Sequence, residues 1–354
     1  MYAAVVRSFD SGPKYEKIAA PAPSGEHEAL AEVLAAGLHL RVRAQANGSH
    51  YTSTEELPLI PGIDGVGRLP DGKLVYFVAT DNAQGSFADQ TLIDLRRAVP
   101  LPADADPVLI AAAMNPAMSS WVTLRRRIQA KPGFKVLILG ATGNSGQMAV
   151  QIAKLMGASQ IIAAGRNPDR LRSLTQLGAD VVLSLAGDPL TAARSLGEAS
   201  AEVDIVLDYL WGEPAALSML PILTRRSDRS RLLTWIQIGS MAGADAAIPS
   251  AALRSANFQI IGSGQGSVTP AGYLAEFPAL IQAIAEGQLT ANPIVYPLSQ
   301  IEQVWKTSAD SQQRIVFVPQ AETDLPSFLK DGNVSARNRR IMQCVKLYIL
   351  IFLK

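Results

Sequence analysis

A glycine-rich turn between an apolar strand and an amphipathic helix constrains this chain more than any other feature. The strand is predicted over Lys135–Leu139, and the helix begins near Asn144. Glycines at 140 and 143 let a pyrophosphate approach the backbone, and the glycine at 146 lets the helix pack closely on the strand. The helix start offers free N–H groups and a positive dipole end to phosphates. The predicted cofactor-binding positions of the turn are Gly140, Thr142, Gly143, Asn144 and Ser145.

Further strand and helix patterns alternate after this turn. Such alternation predicts an α/β fold with a doubly wound parallel sheet of the Rossmann type. The predicted strands are Lys135–Leu139, Gln160–Ala164, Val181–Leu183, Asp204–Asp208, Leu232–Ile238 and Gln259–Gly262. The first 115 residues instead hold short apolar runs between turn signals, with no helix-length period before about Pro107, which predicts a β-rich region.

The end of the second predicted strand indicates which dinucleotide is bound. An NAD-selective site normally places Asp or Glu there for the ribose 2′-hydroxyl, whereas an arginine accommodates a 2′-phosphate. This chain has no acid at that point, and a guanidinium suits phosphate geometry. NADPH is therefore the predicted cofactor, although a merely solvated Arg166 is the alternative. The predicted binding positions here are Gly165, Arg166, Asn167 and Arg170.

Composition excludes several other classes of protein. With 354 residues, at about 150 per domain, the chain is expected to form two domains. The formal net charge of +1 provides no basic field for nucleic acid, so no nucleic-acid partner is expected. One cysteine, Cys344, cannot build a disulfide framework or a thiolate zinc site. The start lacks a signal-peptide pattern and no membrane span is recognised, which predicts a cytoplasmic protein.

These motifs together resemble the medium-chain dehydrogenase/reductase superfamily, and in particular its zinc-free quinone oxidoreductase branch. The turn at 140–146 has the spacing of that branch's Gly-Ala-Ala-Gly-Gly-Val-Gly sequence, and Leu59–Gly67 resembles its Pro-Gly-X-Asp/Glu-X-X-Gly element. Pro132-Gly133 and Gln176–Asp180 are also similar to the family. The resemblance covers about residues 1–319 and leaves out the tail.

The resemblance implies a β-rich, GroES-like barrel domain beside the Rossmann sheet, with the cofactor in the cleft between them. The expected division is residues 1–116 with 265–320 for the catalytic domain, 117–264 for NADPH binding, and an atypical tail over 321–354. The family also implies a homodimer paired along the sixth strand, around Gln259–Ile261. By resemblance, Asp208 lies near the adenosine ribose or the pyrophosphate. The positions implied for the nicotinamide end are Ser119, Gly239, Ser240, Gly262, Ser263 and Gly264.

The zinc ligands of other superfamily members are not matched here. Their cysteine position is occupied by His39, and their His-Glu pair is replaced by Ile63 and Asp64. No Cys or His lies between residues 107 and 130, and Ile63 cannot bind a metal. No metal is therefore expected, and Asp64 is expected to order the turn around it.

A zinc-free site is expected to reduce acceptors that are already electron-poor, such as quinones or the β-carbon of α,β-unsaturated carbonyls. These acceptors need positioning, a hydrogen bond on the developing oxyanion and a proton. His39 and Tyr51 are the predicted catalytic residues, although a structural histidine and a packing tyrosine are the alternatives. Arg41 and Arg43 are expected to be solvated. Two other functions stay open: an enoyl-thioester reductase of the same fold, and an NADPH-binding sensor or RNA-associated protein with little turnover.

Overall fold

Two large sheets carry the fold, and their strands come from different parts of the chain. The computed structural model describes residues 1–49, 53–79, 83–308 and 314–319. Its strands are β1 Tyr2–Val5, β2 Lys14–Lys17, β3 Glu28–Leu38, β4 Asp64–Arg68, β5 Leu74–Val78, β6 Gln90–Asp94, β7 Ala98–Pro100, β8 Lys135–Leu139, β9 Gln160–Gly165, β10 Val181–Ser184, β11 Ile205–Asp208, β12 Leu233–Gln237, β13 Phe258–Gly262, β14 Pro293–Pro297 and β15 Arg314–Val318. Its helices are α1 Leu40–Ala46, α2 Pro107–Val122, α3 Asn144–Leu155, α4 Pro168–Leu177, α5 Pro189–Ala199, α6 Gly212–Thr224, α7 Ser250–Arg254, α8 Pro270–Ala285 and α9 Ile301–Thr307.

Strands β8 to β13 form a six-stranded parallel sheet in the order β10-β9-β8-β11-β12-β13. Strand order therefore reverses between β8 and β11, which is where open α/β sheets bind ligands beyond the carboxyl ends of their strands. Side chains alternate along each strand between two apolar cores. Along β8, Val136 and Ile138 enter one core, and Leu137 and Leu139 enter the other. The predicted doubly wound parallel sheet is confirmed.

Several helices begin with the same local chemistry. A proline stands in the first turn of α2, α4, α5 and α8, where its fixed φ suits the helix and its missing N–H costs nothing. In each case the preceding residue accepts hydrogen bonds from the first free N–H groups, which stabilises the helix start. These capping residues are Asp106, Asn167, Asp188 and Thr269.

The second large sheet is mostly antiparallel and has the order β14-β15-β3-β4-β5-β7, with β6 also paired to β3. The long strand β3 pairs with β15 at one end and with β4 and β6 further along, with an irregularity between Val33 and Ala35. Strands from near residue 300 thus complete a sheet begun by the first 100 residues. A parallel sheet and a separate, mostly antiparallel sheet together confirm the predicted fold class. The predicted domain boundaries stay a prediction, since residues 1–319 group as one compact unit.

Two helices in the first half of the chain call for comment, namely the short α1 and the long apolar helix over Pro107–Arg127. The short helix α1 was not expected before Pro107, yet it buries Val42 and Ala46 and leaves Leu40 exposed. Among the described residues, Pro107–Arg127 is the one helix that is long and apolar enough to cross a membrane. Its most apolar stretch is 78% buried inside the protein, so it has the burial expected of a core helix.

Candidate functional site

The glycines of the turn after β8 differ in how much space surrounds them. Gly146 is tightly packed, whereas Gly143 faces open space. A Cβ on Gly146 would lie 2.3 Å from the carbonyl oxygen of Gly140, so α3 could not pack as it does. Gly140 itself has a φ of 83°, in the left-handed region that favours glycine. At Gly143, by contrast, the nearest atom to an added Cβ is 3.4 Å away, so the turn is open there.

The start of α3 offers unpaired donors at this open turn. Gly143 provides no side-chain cap, and within the described chain the N–H groups of Asn144 and Ser145 have no acceptor. Such N–H groups, with the helix dipole, favour a bound phosphate. The residues therefore fit the pyrophosphate of a dinucleotide.

The end of β9 lies beside this turn. Arg170 donates a hydrogen bond of 3.0 Å from Nη1 to the carbonyl oxygen of Thr142, so the helix after β9 is tied to the glycine turn. Gly165 is a glycine because a Cβ there would lie 2.5 Å from the Thr142 side chain. Asn167 uses its side chain to cap α4. Arg166 is exposed and forms no hydrogen bond or ion pair with another residue of the described ranges.

Asp208, which the family resemblance places near the cofactor, is held by contacts within the protein. Its buried carboxylate accepts hydrogen bonds of 2.8 Å from the backbone N–H groups of Leu210 and Trp211, and from Nε1 of Trp235. These contacts hold the loop after β11, where Trp211 adopts a φ of 54°. Burial raises the pKa of Asp208 in spite of these three donors. The carboxylate is thus held by donors of the protein itself, and its expected place near the cofactor stays a prediction.

A cavity of about 510 Å³ is lined by residues of both sheets, and Arg166 is not among them. Three of the predicted nicotinamide-end residues line it, namely Ser119, Ser263 and Gly264. The hydroxyl oxygens of Ser263 and Thr123 are 2.7 Å apart, and those of Ser119 and Tyr209 are 3.1 Å apart. Two others do not line it: Gly239 packs against the backbone of Tyr209, and Ser240 is exposed. The carbonyl oxygen of Gly262, also outside the cavity lining, accepts a hydrogen bond from Arg127.

Below this cavity lies a buried polar cluster that we call the His39 network, formed by His39, Asp64, Tyr76 and Arg314. His39 Nε2 lies 2.8 Å from Asp64 Oδ1, and Tyr76 donates a hydrogen bond of 2.8 Å to Asp64 Oδ2. The other imidazole nitrogen, Nδ1, lies 2.7 Å from Nη1 of Arg314. Arg314 also donates to the carbonyl oxygens of residues 38, 111 and 112.

The hydrogen bonds of this network assign the proton of His39. A guanidinium can only donate, so Nδ1 must be the unprotonated acceptor, and the Nε2–H group then donates to the carboxylate. Burial and the charge of Arg314 lower the pKa of His39, although Asp64 acts in the opposite direction. Burial would raise the pKa of Asp64, but the contacts from His39 and Tyr76 and the charge of Arg314 lower it. His39 is therefore a neutral histidine beside an ionised aspartate.

The structure changes the interpretation of three residues in this region. Both ring nitrogens of His39 are occupied and the residue does not line the cavity, so it fits the structural alternative. Asp64 belongs to the network and was wrongly expected to order its own turn. Arg43, expected to be solvated, lies over the Trp305 ring and donates to Ser308. The predicted catalytic residue Tyr51 lies outside the described residues.

Sequence reasoning missed Arg314 and Tyr76. The one available signal for Arg314 was a charged residue opening the apolar strand Arg314–Val318, and Tyr76 stood inside an apolar run. Gln45 was also missed. Its Oε1 accepts a hydrogen bond of 3.1 Å from the backbone of Gly62, so its amide NH₂ is the end left to serve the cavity that it lines.

Comparison with known proteins places this geometry in a family. Residues 146–286 match the family model described as "Zinc-binding dehydrogenase". The chain is 30% identical to a probable NADPH-dependent quinone reductase, tdiC, of Emericella nidulans, over 90% of this chain and 100% of the relative. The chain belongs to the medium-chain dehydrogenase/reductase superfamily, in its quinone oxidoreductase-like branch.

Two solved structures agree with this assignment. The quinone oxidoreductase of Thermus thermophilus, solved alone and with NADPH, is 25% identical with a TM-score of 0.73. The aligned region covers 90% of this chain and 100% of that one. A probable oxidoreductase from Mycobacterium abscessus is 26% identical with a TM-score of 0.73, over 90% of this chain and 99% of the other. The resemblance deduced from the sequence motifs is confirmed.

Proposed function

We propose that this chain is an NADPH-dependent oxidoreductase that reduces quinones or α,β-unsaturated carbonyls without zinc. The observation that carries the proposal is that Tyr209 joins the glycine turn to the cavity. Its Cβ lies 3.2 Å from a Cβ added to Gly140, and its hydroxyl lies 3.1 Å from that of Ser119. Ser119 and Ser263 line the cavity of about 510 Å³. The exposed Arg166 follows β9, the strand beside the turn. A cytoplasmic homodimer paired along the exposed edge of β13 is part of the same proposal.

The residues divide the binding of NADPH between them. The N–H groups at the start of α3 would hold the pyrophosphate, and Arg166 the 2′-phosphate, with Arg170 bracing the turn from behind. NADPH, when bound, supplies the hydride. The relative from Emericella nidulans is named a probable NADPH-dependent quinone reductase, and the Thermus thermophilus quinone oxidoreductase was solved in complex with NADPH. Both agree with the cofactor predicted from the sequence.

The acceptor end needs a hydrogen-bond donor for the oxygen that gains negative charge. Gln45 is placed for this role because its Oε1 is fixed by the Gly62 N–H group while the residue lines the cavity. A fixed amide donor costs little reorganisation when the oxyanion develops. Ser119 is the second polar group on this wall, and its hydroxyl lies 3.1 Å from the hydroxyl of Tyr209.

The donor chemistry of the His39 network supports zinc independence. A zinc-bound histidine needs a free ring nitrogen, whereas the hydrogen bonds of His39 use both. A cation at this point would also face the guanidinium of Arg314, whose pKa burial lowers to about 10, so that it stays charged near neutral pH. Metal analysis of protein purified without chelator is expected to find no stoichiometric zinc. One zinc per chain would overturn this part of the proposal.

The central experiment follows NADPH oxidation by its near-ultraviolet absorbance, with NADH measured in parallel. The acceptors are an ortho-quinone, a para-quinone, a simple enone, a 2-alkenal and an enoyl-thioester. Turnover of a quinone or an enone with NADPH supports the proposal. Turnover of the enoyl-thioester alone favours the thioester reductase, and tight NADPH binding without any turnover favours a binding protein.

A pair of charge reversals tests the 2′-phosphate contact. Arg166→Glu is expected to weaken NADPH binding far more than NADH binding, because the carboxylate repels the phosphate. Arg172→Glu is the matched control, since Arg172 is exposed on α4, the helix that follows Arg166, and pairs with Asp169. Equal losses of the two cofactors in Arg166→Glu would remove Arg166 from the site.

A further inference from the structure

One threonine hydroxyl joins two walls of the cavity. Thr123 is fully buried, and its Oγ1 lies 2.5 Å from the carbonyl oxygen of Ser119 and 2.7 Å from Oγ of Ser263. Ser119 belongs to α2, whereas Ser263 follows β13. Both serines line the cavity, at the end predicted to receive the nicotinamide. A change at the buried Thr123 therefore reaches a side chain that a ligand can touch.

The hydrogen bonds of this group assign the proton of each hydroxyl. A carbonyl oxygen carries no hydrogen, so the hydroxyl proton of Thr123 must lie toward the carbonyl oxygen of Ser119. Thr123 Oγ1 is then an acceptor, and the hydroxyl of Ser263 donates to it. Because its proton is directed at Thr123, Ser263 keeps only oxygen lone pairs for a ligand in the cavity. Ser263 is thus an acceptor at this wall.

The other serine hydroxyl has the same polarity. Ser119 Oγ donates at 3.0 Å to the carbonyl oxygen of Pro116, so the hydroxyl of Tyr209, 3.1 Å away, donates to Ser119. Burial raises the pKa of Tyr209 to about 12, so this phenol keeps its proton near neutral pH. Both serine hydroxyls have therefore used their protons within the protein. An oxyanion would meet lone pairs here, which leaves its stabilisation to the Gln45 amide.

The turn that carries Thr123 is held by its neighbours. Thr123–Arg127 is a π-helical turn at the end of α2, a local geometry that is frequent at functional sites. The buried carboxylate of Glu276 on α8 accepts hydrogen bonds from three side chains around this turn, namely those of Trp121, Arg125 and Arg126. Arg127 donates at 3.0 Å to the carbonyl oxygen of Gly262, the residue before Ser263. These contacts hold the turn against the end of β13.

A ligand group that binds at this wall must bring hydrogen-bond donors. The nicotinamide of NADPH carries a primary carboxamide, whose NH₂ group has two N–H donors and whose oxygen is an acceptor. The NH₂ group matches a serine oxygen that has no free proton, whereas the carboxamide oxygen would face its lone pairs. The polarity of the serine hydroxyl therefore selects which end of the carboxamide it binds.

We propose that Ser263 binds the cofactor by accepting a hydrogen bond from the carboxamide NH₂ group, and that Thr123 is a positioning residue that fixes the polarity of the Ser263 hydroxyl. This inference rests on the proposed function, since it concerns NADPH at the same site. It divides two tasks on the cavity wall: Ser263 orients the nicotinamide, and Gln45 donates to the oxygen of the acceptor.

Three forms of the oxidised cofactor test the two ends of the carboxamide separately. In the 3-acetylpyridine analogue of NADP⁺ a methyl group replaces NH₂, which removes both N–H donors and keeps the carbonyl oxygen. In the thionicotinamide analogue sulfur replaces that oxygen and the NH₂ group stays. Calorimetry measures the dissociation constants without an acceptor or hydride transfer. We expect the acetyl analogue to bind about five- to tenfold more weakly than NADP⁺, the scale of one hydrogen bond, and the thio analogue to bind nearly as well as NADP⁺.

Two results with the wild type would overturn the inference. Equal affinities for NADP⁺ and the acetyl analogue would mean that no N–H donor is recognised. Equal weakening of both analogues would mean that the protein recognises the carboxamide oxygen instead of the NH₂ group.

Four variants assign the preference for NADP⁺ over the acetyl analogue to residues. Ser263→Ala removes the acceptor, and the ratio of the two dissociation constants is expected to fall close to one. Thr123→Val keeps the side-chain shape but offers Ser263 no acceptor, so the Ser263 proton can turn to the acetyl carbonyl and the ratio falls as well. Thr123→Ser restores the hydroxyl and the wild-type ratio. Thr234→Val is the matched control and keeps the ratio, since Thr234 is a buried threonine of β12 that accepts a hydrogen bond from Gln259.

The same measurements separate this inference from a structural role and from the proposed reaction. If Thr123→Val weakens NADP⁺ and the acetyl analogue by the same factor, Thr123 only supports the fold and the inference is wrong. A preference that is lost in Thr123→Val supports the inference even if no quinone or enone is reduced, in which case only the proposed reaction fails. Equal wild-type affinities together with quinone turnover would leave the reaction standing and remove the inference.

Discussion

Replacing Arg314 with methionine tests the His39 network most directly. Arg314 is buried and donates to His39 Nδ1 at 2.7 Å and to three backbone carbonyl oxygens. Methionine fills a similar length but donates nothing, so these acceptors lose their donor and Asp64 loses the nearby positive charge of Arg314. Breaking a buried charge pair from one side costs about 3–5 kcal/mol. We expect the free energy of unfolding to fall by that amount near neutral pH.

The loss in Arg314→Met is expected to depend on pH through His39. In the wild type the pKa of His39 is lowered. Below the ordinary histidine pKa of about 6.5, His39 is therefore protonated in the unfolded chain and still neutral in the folded chain. This loss of wild-type stability grows as the pH falls. Without Arg314 the pKa of His39 rises, and the ion pair with Asp64 can form. The difference in the free energy of unfolding between variant and wild type should therefore become smaller in acid. The decrease is about 1.4 kcal/mol for each unit by which the His39 pKa of the folded variant exceeds that of the folded wild type.

The assay is urea unfolding followed by tryptophan fluorescence, at one pH above and one below the ordinary histidine pKa. Arg226→Met is the matched control: Arg226 is also buried and donates to the carbonyl oxygens of residues 201, 203 and 231, but no histidine lies among its acceptors. Arg226→Met should lose stability by an amount that does not become smaller at the lower pH. A loss below about 1 kcal/mol in Arg314→Met, or a loss as independent of pH as in the control, would refute the assigned proton of His39.

Three further substitutions concern the cofactor half. Gly146→Ala should destabilise the protein by about 1–3 kcal/mol, measured as a lower thermal midpoint, because the new Cβ would meet the Gly140 carbonyl oxygen at 2.3 Å. Gly143→Ala should keep the thermal midpoint, since its nearest neighbour is 3.4 Å away, and should weaken NADPH binding in fluorescence titration; unchanged affinity would exclude phosphate from this turn. Asp208→Asn should cost about 1–3 kcal/mol of stability and change the NADPH dissociation constant little, because three internal donors share that carboxylate. A selective loss of NADPH affinity in Asp208→Asn would show that Asp208 contributes to cofactor binding.

The parallel sheet was predictable because each of its strands is a short apolar run between helical patterns. The predicted bounds of β8 are those observed, and β13 begins one residue earlier than predicted. Helix α1 was missed because it has seven residues and alternates arginines with apolar side chains, which gives no clear helical period. Period-based reasoning therefore works where an element is long or fully buried.

The roles of site residues were predictable only where the backbone decides them. Glycine spacing and the absence of an acid beside Arg166 describe local geometry, which a sequence shows directly. His39 depends on partners at positions 64 and 314, and no local pattern indicates which side chains meet across such distances. Asp208 ends a strand, as a cofactor ligand would, but its side chain points to Trp235 on the neighbouring strand.

The position of β15 has a consequence for the order in which a nascent chain can fold. This strand lies between β14 and β3, with its registers set by Ile315 opposite Leu38 and Phe317 opposite Ala36. The parallel sheet is complete in sequence once Gly262 has been made. The other sheet must wait for residues 314–318 to leave the ribosome. During synthesis, the parallel sheet β8–β13 can therefore assemble first. Until β15 is made, the edge of β3 that pairs with it stays open to other strands or to chaperones.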